Sequence, residues 1–123
     1  MKFLCMYKTS KPEGVPPTQE EMARMGKFVE EMKASGKLLA TEGCLPSAVG
    51  ARVRLAAGKF KVTDGPFTES KEIIGGFALL QTNSKEEAIE LNKRFLEVAG
   101  DGEVEVREVF DAENCVSKTA AGR

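Results

Sequence analysis

Acidic and basic side chains crowd one stretch of this chain. "VTDGPFTESKEIIGGF" runs from Val62 to Phe77 and sets Asp64, Glu69, Lys71 and Glu72 among an Asp-Gly-Pro turn, three hydroxyls and a glycine pair. Just upstream, "ARVRLAAGKFKVT" carries Arg52, Arg54, Lys59 and Lys61 at alternating positions. A carboxylate in a rigid turn can serve as a general base, and nearby cations can hold an anion or stabilise developing negative charge. Asp64 is therefore the candidate catalytic residue, with Lys71 or Arg54 as charge stabiliser. Glu42, Arg52, Arg54, Lys61, Glu69, Lys71 and Glu72 are the candidate ligand-binding residues. A basic strand face beside an acidic turn suits a small polar or anionic ligand.

The same residues also make a purely structural corner. Pro66 fixes its own φ and biases Gly65 toward extended backbone. Asp64 can accept hydrogen bonds from backbone donors just downstream, as in an Asx turn. Gly75 and Gly76 can host a bulge or admit another backbone closely.

What is missing narrows the chemistry further. The chain of 123 residues has no histidine and one tyrosine, Tyr7. Histidine-activated nucleophiles and imidazole metal ligands are thereby excluded. Cys5, Cys44 and Cys115 are far apart and lack metal-ligand spacing, so no metal site and no cofactor are expected, and the thiols are read as reduced. A net charge of -1 gives no bulk attraction to nucleic acid or membranes, and no basic stripe is interleaved with aromatics. The apolar run ending at Lys8 is too short for a signal segment, and no stretch is long enough to span a membrane. A cytoplasmic location is expected.

The elements that must position these groups follow from periodicity. "KFLCMYK" (Lys2–Lys8) reads as a strand with Phe3, Cys5 and Tyr7 on one face and Leu4 and Met6 on the other, which places it centrally in a sheet. Thr18 with Glu21 forms a capping box for a helix whose stripe is Met22, Met25, Val29 and Met32, closed by Gly36. The stripe is read as core packing. Val53 and Leu55 alternate with arginines, and Phe60 and Val62 with lysines. A two-residue turn at Ala57-Gly58 then pairs Leu55 with Phe60, Val53 with Val62 and Arg54 with Lys61. "IIGGFALLQT" (Ile73–Thr82) reads as a further strand. Ser84 and Glu87 form a second capping box before the stripe Ala88, Leu91, Phe95 and Val98. "EVEVREVF" (Glu103–Phe110) is a last strand with a shift or bulge near Glu108.

The order strand, capped helix, strand occurs twice around a hairpin. It predicts an α+β fold, a ferredoxin-like βαββαβ with an extra β-hairpin and helices on one face of an antiparallel sheet. Residues 1–111 are expected to form one domain and 112–123 a mobile tail. The sheet face without helices needs cover, and a homodimer supplies it.

"DGPFTESKE" followed by "GGF" closely resembles the DGPF-motif branch of the YCII-related family. The opening strand, "EGCLPS", "ARVR" and "VEVREVF" resemble that branch too, so the likeness covers nearly the whole chain up to Asp111. The resemblance implies a ferredoxin-like protomer that dimerises into an α+β barrel. YCII-like relatives are proposed to act through a His-Asp pair; without histidine only Asp64 transfers, as a pocket residue. Members of the branch are often encoded beside extracytoplasmic-function sigma factors. Two functions are therefore carried forward. One is a small-molecule-binding protein or cofactor-independent enzyme with a polar pocket near the DGPF loop. The other is a regulatory interaction protein acting with a sigma factor in transcription.

Overall fold

The computed structural model describes residues 1–67 and 73–114. The doubly apolar first strand, β1 (Lys2–Thr9), leads into α1 (Gln19–Ala34) and β2 (Leu38–Gly43). A single 3-10 turn at Ser47–Val49 precedes the hairpin of β3 (Ala51–Ala56) and β4 (Lys59–Asp64). Then come β5 (Ile74–Gln81), α2 (Lys85–Ala99) and β6 (Gly102–Glu108). The main sheet has the order β2-β5-β1-β6 with every neighbouring pair antiparallel. Each helix thus carries the chain across one intervening strand, which is the ferredoxin-like arrangement. The hairpin forms a separate two-stranded sheet.

Both helices start and stop where the sequence says. Thr18 Oγ1 accepts from the Glu21 amide and Glu21 returns the bond to the Thr18 amide, completing the box. Gly36, at φ +77°, follows the last turn of α1. At α2, Ser84 Oγ accepts from the Glu87 amide, but Glu87 accepts from the Asn83 amide instead of that of Ser84. The expected box is therefore half made, with its return bond displaced one residue upstream. Gly100 closes the helix at φ +94°.

The core lies between the helices and one sheet face. Phe3, Cys5, Met32, Leu80, Ala88 and Leu91 are buried, with Phe28, Leu38, Val104 and Val106 packed around them. Side chains of this kind contribute roughly 1.5–3 kcal/mol each on full burial. The methionine stripe departs from the expected core role. Only Met32 is buried, while Met22 is 53% exposed and Met25 and Val29 are half-buried. The expected shift in β6 is also absent: its ladder with β1 is continuous from Gly102 to Glu108. The strand ends there, so Val109 lies past the alternation rather than out of phase with it. Beyond it, Asn114 donates to Glu108 and to the Val109 carbonyl, holding the turn Asp111–Asn114 against the domain. The rest of the expected tail lies outside the described residues.

Candidate functional site

The hairpin adopts the register its alternation dictates. Arg54 faces Lys61, Val53 faces Val62 and Leu55 faces Phe60. Ala57 and Gly58 both have positive φ, +51° and +77°, as a two-residue primed turn requires. Arg52, Arg54, Lys61 and Thr63 line an open recess of about 650 Å³ along this ribbon. Asp64 sits at the end of the same ribbon, opposite Ala51, with its side chain exposed. Among the described residues nothing donates a hydrogen bond to its carboxylate. Glu42 lies elsewhere, on β2 of the main sheet opposite Phe77. Glu69, Lys71 and Glu72 fall outside the described residues. The structure thus brings together Arg52, Arg54 and Lys61, whereas Asp64 shares the other face of the ribbon with Val62 and Glu42 lines a different cavity.

The Asp-Gly-Pro segment is a clamp in this fold. The Gly65 amide donates to the Gly50 carbonyl (3.0 Å) and the Phe67 amide to Ser47 Oγ (3.0 Å). Ser47 in turn donates through its amide (3.0 Å) and hydroxyl (2.7 Å) to Glu13. A Cβ on Gly65 would fall on the Ser47 carbonyl, so only glycine permits this approach. The Gly65–Pro66 peptide is cis. Phe67 lies under the Arg52 guanidinium, 4.0 Å from ring centroid to Cζ. The turn therefore ties the hairpin, the 3-10 turn and the loop before α1 together.

The larger cavity lies between α1 and the sheet. It has a volume of about 1080 Å³. Register explains why it exists. The helix-facing rows of the sheet run Thr41–Ala78–Cys5 and Gly43–Gly76–Tyr7 across β2, β5 and β1. Four of these six side chains are glycine, alanine or cysteine, and little bulk rises to meet α1. Gly76 is required independently, because a Cβ there would come within 2.7 Å of the Glu42 carbonyl oxygen. Gly75 is the extra residue where the β1–β5 register slips. Across the gap, α1 offers Met25, Phe28 and Val29, and α2 contributes Phe95, which packs edge-on against Tyr7 at 5.1 Å.

The floor of this cleft is polar at one point. Asn92 Nδ2 donates to the Ala88 carbonyl (2.8 Å) and to Cys5 Sγ (3.3 Å). Burial pushes the Cys5 thiol pKa up, with the Asn92 hydrogen bond opposing it. Cys5 is accordingly held as a neutral thiol, not a nucleophilic thiolate. Near the mouth, Lys11 Nζ pairs with Glu21 at 2.8 Å. That hydrogen bond, with those from Thr18, lowers the Glu21 pKa to about 2. Sequence reasoning passed over Asn92, although it stands four residues after Ala88 and three before Phe95, a lone amide within an apolar stripe. Glu13 and Ser47 gave no such signal, since only the fold makes them neighbours.

Comparison with known proteins adds a family. Residues 1–113 match the family model described as the YCII-related domain. An uncharacterized protein of Rhizobium meliloti (strain 1021) is 36% identical over 81 residues. The match covers 66% of this chain and 62% of that protein.

Proposed function

The chain belongs to the YCII-related domain family, and on that footing we propose that it is a small-molecule-binding protein whose ligand occupies the cleft between α1 and the sheet. The size and lining of that cleft support this most directly. Its volume of about 1080 Å³ matches the scale of small-molecule sites, roughly 300–1,000 Å³. Its walls are mainly apolar, and its floor reaches the buried Cys5, Met32 and Asn92. The hairpin recess has no comparable floor, because every residue that lines it is exposed. Asp64 does not line the cleft, so binding rather than turnover is proposed for it.

Nile red tests this. Its fluorescence should rise on mixing with the chain and saturate at one dye per cleft. The melting temperature should rise with dye concentration, since a native-state ligand stabilises by mass action. Val29→Trp, which fills the cleft from α1, should abolish the fluorescence while leaving helical circular dichroism intact. No enhancement with the unmodified chain, or equal enhancement with Val29→Trp, would overturn the proposal.

A second role, protein association, is favoured by the hairpin itself. Val53, Leu55, Phe60 and Val62 are each at least 61% exposed on one of its faces. An isolated two-stranded ribbon is marginal in water. The sheet face away from the helices presents Leu4, Met6, Phe77 and Leu79 as adjacent pairs. We propose a second copy of the chain as the occupant, since one protomer carries both unmatched apolar surfaces.

A further inference from the structure

Asn92 is 8% exposed, and both hydrogens of its amide nitrogen are committed. The contact of 2.8 Å to the Ala88 carbonyl fixes which amide atom is nitrogen, because two carbonyl oxygens would repel at that distance. Oδ1 is then the remaining polar atom, and among the described residues it accepts no hydrogen bond. Among those residues that are buried or half-buried, no side-chain nitrogen or oxygen is both sealed from accessible space and unpartnered. Oδ1 must therefore open onto space that a molecule can enter, and the residue lines the cleft. An acceptor open to the cleft can be met by a ligand donor, which adds one hydrogen bond to apolar binding.

Most of the other polar groups around the cleft are already engaged. Tyr7 donates to the Asp101 carbonyl, Thr41 to the Phe77 carbonyl, and Thr9 Oγ1 accepts from the Lys11 amide. Lys11 and Glu21 neutralise each other at the mouth, and Glu13 is taken by Ser47. Glu42 is exposed. A charged ligand group reaching the floor would meet a neutral thiol and hydrocarbon, with no counter-charge to offset its desolvation.

Resting on the cleft as the binding site, we infer that its ligand is a neutral, mainly apolar molecule with one hydrogen-bond donor, such as an alcohol or phenol, received by Asn92 Oδ1. The body of the molecule lies along Met25, Phe28 and Val29, where thioether and aromatic surfaces adapt to varied apolar shapes.

Three para-substituted benzenes of similar size test this by displacing Nile red from the full chain at neutral pH. Para-butylphenol offers a donor, para-butylanisole removes it, and para-butylbenzoate adds a negative charge. The phenol should bind about five- to ten-fold tighter than the anisole, the worth of one net hydrogen bond. The benzoate should fail to displace the dye. Asn92→Leu should bring phenol and anisole to parity while anisole binding persists. Equal binding of phenol and anisole to the unmodified chain, or benzoate binding as tight as phenol, would overturn the inference and leave the cleft itself standing. A chain that binds neither dye nor any of the three compounds overturns both.

Discussion

Gly65→Ala probes the clamp at its tightest point. The added Cβ lands on the Ser47 carbonyl, which is backbone and cannot rotate aside. Two responses are open. The clamp can stay closed and absorb the overlap, for which small-to-large insertions typically cost roughly 1–3 kcal/mol. Alternatively the turn can lift away from the 3-10 segment. It would then lose the bonds from the Gly65 amide to Gly50 and from the Phe67 amide to Ser47, at about 1 kcal/mol each. Both routes arrive near 2 kcal/mol, so the cost is insensitive to which is taken. At about 4 °C per kcal/mol for a chain of this length, the melting temperature should fall by about 8 °C. Urea unfolding followed by circular dichroism at a fixed protein concentration measures the cost, and a thermal scan the shift. Asp64→Asn in parallel should change stability by less than about 0.5 kcal/mol, since the carboxylate is exposed and unbonded among the described residues. A Gly65→Ala variant as stable as the unmodified chain would show that the clamp does not hold the turn.

Gly26→Ala makes the opposite case: this glycine is inside α1 with nothing within 4 Å of the place its methyl would take, so the change should raise stability by about 0.5–1 kcal/mol in the same assay. Acid should weaken the fold below the ordinary carboxylate range. Glu21 is lowered from 4.5 to about 2 by its bonds from Lys11 and Thr18, and Glu105 is lowered by Lys8 and Arg107. A depressed carboxylate contributes stability in full above its unfolded pKa and loses it as pH falls through the folded one. The urea midpoint should therefore drop between about pH 4.5 and 2, less steeply in Glu21→Gln; parallel curves for the two proteins would contradict this. For association, light scattering at micromolar concentration should give twice the chain mass, and Phe60→Glu should halve it without loss of secondary structure. A monomeric unmodified chain would dismiss the second-copy proposal.

The parts of the fold legible in the sequence are those set by local rules. Strand pairing within the hairpin needs only period-two alternation and a Gly at the second turn position, and Leu55 meets Phe60 as that pattern requires. The capping box at Thr18 is equally local. Legibility fails where one local signal serves two ends. Ser84 and Glu87 have the spacing of a full box, yet the Glu87 carboxylate also reaches the Asn83 amide and takes it. Apolar alternation through Val109 looks like a bulge, although the strand has simply ended. Methionines at helical spacing satisfy a core and the wall of a cleft alike, and the choice between them depends on what stands opposite.

What stands opposite is decided by register between distant strands, and that explains why Glu42 and the hairpin cations stand apart. Glu42 is close in sequence to Arg52, but β2 belongs to the main sheet and the hairpin does not. The cleft is built from small side chains. Gly43 and Thr41 on β2 meet Gly76 and Ala78 on β5 only because the β2–β5 ladder slips at Leu39 and then runs in register. No sequence pattern advertises a void formed by such an alignment. The "GGF" that follows the charged stretch thus acts through space: Gly75 absorbs the slip against β1, and Gly76 lets the Glu42 carbonyl approach. A methyl on Gly76 would press β2 away from β5 at the base of the cleft. Stability and ligand affinity should therefore fall together at this position, whereas Asn92→Leu should abolish the preference for phenol while anisole binding persists. That contrast separates the residues that make the space from the one that gives it chemical character.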